Sequence, residues 1–190
     1  IRDQLRRRGF VSEIFAEKVH PKMAGLAQPL SGYEAAAGSP TLCLFHFSIG
    51  SAASSLVYHR TEPLICLYHN VTPPEFFFPF HSHLARLCYH GRRELAAFAR
   101  RSALGLGVSE FNRRELEGAG CARLGVLPMV MNWSLYDAPP SPVMLERLDG
   151  FAGPTILFVG RIVPNKKIED ILTSFAAFQR HHRKESRLLL

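Results

Sequence analysis

Apolar residues recur along this chain in two distinct periods. TLCLFHF (41–47), PLICLYH (63–69), ALGLGVS (103–109) and RLGVLPMVM (123–131) are short, apolar at almost every position and bounded by turn residues, which predicts buried strands. Between them the spacing becomes helical. IGSAASSLVYHR predicts a short helix, and HSHLARLCYHGRRELAAFARRS (81–102) a long one with Leu84, Leu87, Cys88, Leu95 and Phe98 on its apolar side. EFNRRELEGAG predicts a third helix closing on Gly118 and Gly120. Ahead of these, RDQLRRRGFVSEIFAE reads as a helix stopped at Gly9 and a strand from Val11 to Phe15, and residues 20–40 as a loop.

Strands that alternate with helices and are apolar on both faces predict a parallel sheet covered by helices on both sides. The pattern then breaks at DAPPSP (137–142), with three prolines in six residues. It resumes as the strand PTILFVG (154–160), the helix IEDILTSFAAFQRHHRK (168–184) and the strand RLLL. The domain reading is an α/β unit over residues 1–136, a linker over 137–150 and the start of a second unit over 151–190. One strand, one helix and one further strand bury too little for a core, so the expectation is a chain cut short at its C-terminal end.

Composition narrows the classes. A hydrophobic fraction of 47% and a charged fraction of 21% are ordinary for a globular chain, and no apolar run has the length of a membrane span. IRDQLRRRGF has no apolar stretch behind its charges and does not read as a signal peptide. The four cysteines are scattered, without metal-ligand spacing, and predict reduced thiols in a cytoplasmic protein. The net charge of +7 points to anionic partners: phosphorylated metabolites, acidic lipid surfaces or nucleic acid.

The sharpest chemistry lies in FVGRIVPNKKIED (158–170). In an open α/β sheet, ligands bind beyond the carboxyl ends of the strands. Gly160, Arg161 and Lys166 occupy that edge, where a guanidinium fork, an ammonium and the free N–H groups of a helix start would hold a diphosphate. The alternative is a solvated basic turn. His69 ends its strand beside Asn70 and a Pro-Pro loop, placed to hydrogen-bond a sugar or acceptor, or else to cap a loop carbonyl. His46, Ser51 and Ser109 sit at neighbouring strand ends; Ser109 equally suits a helix cap. EFFFPF (75–80) reads as a loop anchor, or as a platform for a lipid-linked or sugar acceptor. The arginines at 86, 92, 93, 100 and 101 read as a solvated helix face, or as attraction to an anionic bilayer.

FVGRIVPNKKIEDIL closely resembles the start of the C-terminal domain of the GT-B-fold retaining glycosyltransferases of family 4. LYHNVTPPEFF, GVSEFNRREL and FHFSIGSAAS resemble further segments of that family, in the same order. The resemblance implies a GT-B-type pair of Rossmann-like domains, the acceptor-side one over 1–136. It implies metal-independent transfer of a sugar, with retention, from a nucleotide-diphosphate sugar to an acceptor hydroxyl in cell-surface polysaccharide or glycolipid synthesis. It maps diphosphate binding onto Arg161 and Lys166, a catalytic role onto His69, and the acceptor side onto His46, Ser51, Asn70 and Ser109. No cofactor is expected beyond the donor itself, and no nucleic-acid partner; the expected location is cytoplasmic, with peripheral contact at the inner membrane face. The residue after the family's lysine is commonly Gly, whereas here it is Lys167. The family's first strand and glycine-rich loop would precede Ile1, and its Glu-x7-Glu motif would follow Leu190. MVMNWSLYD replaces the usual turn after Pro128, so Asn132 takes no site role. A non-catalytic anion-binding module is the competing reading; a glycoside hydrolase is disfavoured by the lack of a facing carboxylate pair.

Overall fold

The computed structural model describes residues 1–33 and 41–190. Part of the predicted 20–40 loop therefore lies outside the described residues. The chain divides into two compact units, Ile1–Val130 and Met131–Leu190.

The first unit opens with helix α1 (Arg2–Arg7), ended by Gly9 at φ +84°. The predicted strand at Val11–Phe15 is a two-residue strand instead, β1 (Phe15–Ala16), paired in parallel with β2 (Gln28–Pro29). Val11 is almost fully exposed, and the ladder starts only at Phe15, whose ring meets Tyr33 edge-on.

The remainder is a regular α/β repeat: β3 (Cys43–Phe47), α2 (Ala52–Tyr58), β4 (Leu64–Tyr68), α3 (Ser82–Arg101), β5 (Leu104–Gly107), α4 (Glu110–Gly118) and β6 (Leu124–Val126). The four strands form one parallel sheet in the order β3-β4-β5-β6. Cys43 lies opposite Leu64, Ile65 opposite Leu104, and Gly105 opposite Leu124. This is a Rossmann-like α/β sheet flanked by helices.

The expectation of helices on both faces is corrected for α2, α3 and α4. Strands added one after another in a single direction, through right-handed crossovers, place every connecting helix on the same face. Phe45, Phe47, Leu64, Cys66 and Tyr68 line that face, where they meet Val57 of α2, Ala85, Cys88, Leu95 and Phe98 of α3 and Leu116 of α4. Phe98 is central, with ring centroids 5.2 Å from Phe45 and 4.9 Å from Phe47. The opposite face carries Leu44, Ile65, Leu67, Leu104 and Leu106. These leucines and isoleucine are why the strands read as apolar on both sides; of them, only Leu67 is buried.

Two glycines let α3 approach the loop after β3. Gly50 N–H donates to the Leu87 carbonyl at 3.1 Å, and a β-carbon at position 91 would lie 2.6 Å from the Gly50 nitrogen. The arginines of α3 are not uniformly solvated as expected. Arg101 donates to the carbonyl of Arg60, Arg93 lies over the Tyr89 ring, and Arg92 is engaged as described below. EFFFPF divides: Phe77 is buried and Phe76 packs on the core, while Phe78 and Phe80 are exposed.

In the second unit, a short helix α5 (Pro142–Leu148) occupies part of the predicted linker, with Pro142 at its first turn. Strand β7 (Thr155–Leu157), helix α6 (Ile168–His181) and strand β8 (Arg187–Leu189) follow, β7 and β8 being parallel. Arg187 fastens this unit by donating to Thr155 Oγ1 at 2.8 Å and the Leu148 carbonyl at 2.7 Å while lying over Phe151. Among the described residues no helix is long and apolar enough to cross a membrane.

Gly91→Ala is expected to destabilise the first unit by about 1–3 kcal/mol, because the methyl meets backbone that cannot step aside. Gly118→Ala, where a β-carbon has nothing within 4 Å, should be neutral or stabilising. Urea denaturation of the two variants measures the contrast.

Candidate functional site

Side chains alternate along a strand, so the residues that bury Phe45, Phe47, Cys66 and Tyr68 against the helices turn their neighbours the other way. His46 lies opposite Leu67 in the β3–β4 ladder. His69 extends β4 by one step, its backbone N–H donating to the Phe47 carbonyl at 2.9 Å. Both imidazoles therefore emerge on the face away from the helices, at the carboxyl ends of adjacent strands. His46 Nδ1 and His69 Nε2 are 2.9 Å apart.

The ring geometry shows how they meet. The centroids are 5.0 Å apart and the planes differ by 20°. Each nitrogen lies a little over one ångström from its ring centre, so the 2.9 Å contact and the two ring radii together span the centroid separation, which requires the nitrogens to point at each other. The rings meet edge to edge, almost coplanar, with a proton between them. The two nitrogens are aimed at each other, donor to acceptor, and do not converge on a third point. A metal ion would have to force them apart, and among the described residues no group of three or more His, Cys, Asp or Glu is placed to hold one. Burial pushes both histidines below the ordinary value of 6.5, and His46 is pushed further by His69.

The loop carrying His69 is held by a clip that the sequence did not disclose. Tyr68 is fully buried, and its hydroxyl accepts the Val71 N–H at 3.2 Å and donates to Glu115 Oε2 at 3.1 Å. Arg92 of α3 donates to the Val71 carbonyl at 2.7 Å and to Glu115 Oε1 of α4 at 3.2 Å. Burial and the Glu115 carboxylate keep the Tyr68 phenol protonated far above its usual range. Asn70 spans the turn at φ +77°, a left-handed conformation that asparagine tolerates better than most residues. The one available signal was Tyr68 itself, since a tyrosine closing a buried strand must find its hydroxyl a partner.

The two candidate serines serve as caps. Ser51 Oγ accepts the Ser54 N–H at 3.1 Å, and Ser54 Oγ accepts the Ser51 N–H at 2.9 Å, a reciprocal box at the start of α2. Ser109 Oγ accepts the Asn112 N–H and donates to Asn112 Oδ1 at 2.7 Å, opening α4. Both hydroxyls sit at carboxyl ends of the sheet, as expected, with their hydrogen bonds directed into the helices.

In the second unit, Gly160 and Arg161 follow β7, and Lys166 ends a single 3₁₀ turn, Pro164–Lys166. A β-carbon at 160 would lie 2.9 Å from the Phe158 ring. Arg161 is exposed and, among the described residues, makes no hydrogen bond or ion pair; the same holds for the Lys166 ammonium. Lys167 differs from both. It takes the left-handed conformation, φ +47°, as the residue before α6, and its ammonium pairs with Asp170 at 3.4 Å. Lys166 and Lys167 border an open, mainly apolar hollow between Ile156, Leu188 and Phe175; Arg161 is not part of its wall.

Comparison with protein-family models, with curated proteins and with solved structures gave no match.

Three outcomes follow from this geometry. Tyr68→Phe should cost about 1–3 kcal/mol in urea denaturation, since it orphans the buried Val71 N–H. Lys167→Gly should stabilise the second unit, because a side chain in the left-handed region carries strain that glycine lacks. Thermal melts of Lys167→Gly and Lys167→Ala, compared with wild type, separate that strain from loss of the Asp170 pair. The third concerns pH. Both histidines bind protons less readily folded than unfolded, so the unfolded chain takes up more protons as pH falls below 6.5. Stability should therefore fall with pH from there down to the lowered folded values. His46→Gln should flatten that slope in melts taken across the window.

Proposed function

We propose that this chain belongs to a retaining glycosyltransferase that moves a sugar from a nucleotide-diphosphate sugar to an acceptor hydroxyl. The observation that carries the reading is the Gly160-Arg161-x4-Lys166 segment. Two cations without acidic partners among the described residues lie between a strand's carboxyl end and a helix start. Arg161 offers a planar fork matched to phosphate oxygens and Lys166 a mobile point charge. Together with the first N–H groups of α6 they would neutralise the diphosphate as it leaves with the bonding electrons of the sugar. The pairing of Lys167 with Asp170 supports Lys166 as the lysine that serves the phosphate. His69, with an imidazole nitrogen that has no protein partner among the described residues, is the group offered to the sugar or acceptor. A lipid-linked acceptor at the inner membrane face would suit the exposed Phe78 and Phe80 beside the basic surface of α3.

Titration with UDP and GDP tests the donor side. Arg161→Ala and Lys166→Ala should each weaken binding about tenfold or more, the loss expected for a charge-assisted contact. Lys184→Ala, past the C-terminal end of α6, should leave affinity unchanged. Equal affinity in wild type and Arg161→Ala would overturn the reading.

A further inference from the structure

We propose that His46 and His69 work as a single proton-sharing dyad, in which His46 positions His69 and carries away the proton that His69 accepts. Two neutral imidazoles joined through His46 Nδ1 and His69 Nε2 hold one proton between them and have two arrangements. In one, His69 Nε2–H donates to His46 Nδ1, which leaves a lone pair on His69 Nδ1 and a proton on His46 Nε2. In the other, the bridging proton belongs to His46, and the outward nitrogens exchange roles. Among the described residues neither outward nitrogen has a protein partner, so both are open to solvent or ligand.

The step balances without any further reagent. A hydroxyl proton passes to His69 Nδ1 as the His69 Nε2–H bond breaks. That proton forms a bond to His46 Nδ1, and the His46 Nε2 proton leaves to water. One proton enters, one departs, and both rings end neutral. A lone histidine at this partly desolvated place would instead finish as an imidazolium, which the apolar surroundings oppose. Among the described residues no carboxylate hydrogen-bonds or ion-pairs with either ring to stabilise such a cation. Register places Leu67 directly opposite His46, with Leu44 and Leu106 on the same face of the sheet. A pair that never holds a net charge suits such a setting.

The dyad rests on the glycosyltransferase reading only for the identity of the proton donor, the acceptor's hydroxyl. Its test needs no substrate. Nitrogen-labelled histidine in the full chain should show scalar coupling between His46 Nδ1 and His69 Nε2. Acid titration should move both rings at one shared midpoint, because one proton serves the pair and a second is taken up only at much lower pH. His46→Gln can still accept the His69 Nε2–H and hold the ring, but it carries no proton. It should keep the His69 tautomer while abolishing the shared titration, whereas His46→Ala should lose both. Two rings titrating independently in the wild type, or a His69 titration unchanged by His46→Gln, would overturn the dyad. Coupled rings in a protein that neither binds nor turns over sugar nucleotides would overturn the glycosyltransferase reading and leave the dyad standing.

Discussion

The parallel pairing of Cys43–Phe47 with Leu64–Tyr68 fixes almost everything that the first unit offers to chemistry. The alternation of side chains is strict, so the phenylalanines that fill the space beneath α3 force His46 outward, and Tyr68 does the same for His69. A slip of one residue would put an imidazole into the aromatic core and a phenylalanine into solvent, at a cost of several buried rings. The histidine pair is thus a by-product of core packing, held by the same register that excludes water from Phe47 and Phe98. Neither strand would need a dedicated interaction to bring the two rings together.

Much of this architecture was legible in the sequence because buried parallel strands advertise themselves. Each of the four apolar runs contains the observed strand, and the three helices between them appear where the spacing changes. What failed to show were relations between elements. Leu44, Ile65 and Leu67 are as apolar as Phe45, Cys66 and Tyr68, so composition alone cannot tell a helix-covered face from its reverse; strand order decides it. Arg92 resembled its neighbours on α3, yet its partners, Val71 and Glu115, lie more than twenty positions away in either direction. No periodicity within α3 distinguishes it. Both serines were legible as strand-end residues, and the cap at Ser109 was legible too; the cap at Ser51 was not, because its reciprocal partner is Ser54 where the usual box has Glu or Gln.

The second unit places a lysine in a backbone conformation that glycine takes without strain. Position 167, commonly glycine in the family the segment resembles, still adopts a left-handed backbone here. Lysine accepts the strain, and its charge is balanced by Asp170 one turn into α6. That local pairing also resolves the cost of a cation at a helix start, where the backbone dipole would otherwise repel it. Two adjacent lysines thereby acquire different electrostatic surroundings, one compensated and one not.

The tyrosine clip has a mechanical consequence. The turn from His69 to Val71 is bound through one phenol to α4 and through one guanidinium to α3, and Val71 is itself fully buried. A segment fastened at both its amide and its carbonyl has no freedom to swing independently of the helices beneath it. His69 is in effect a fixed post, its backbone able to shift only together with the helices beneath it.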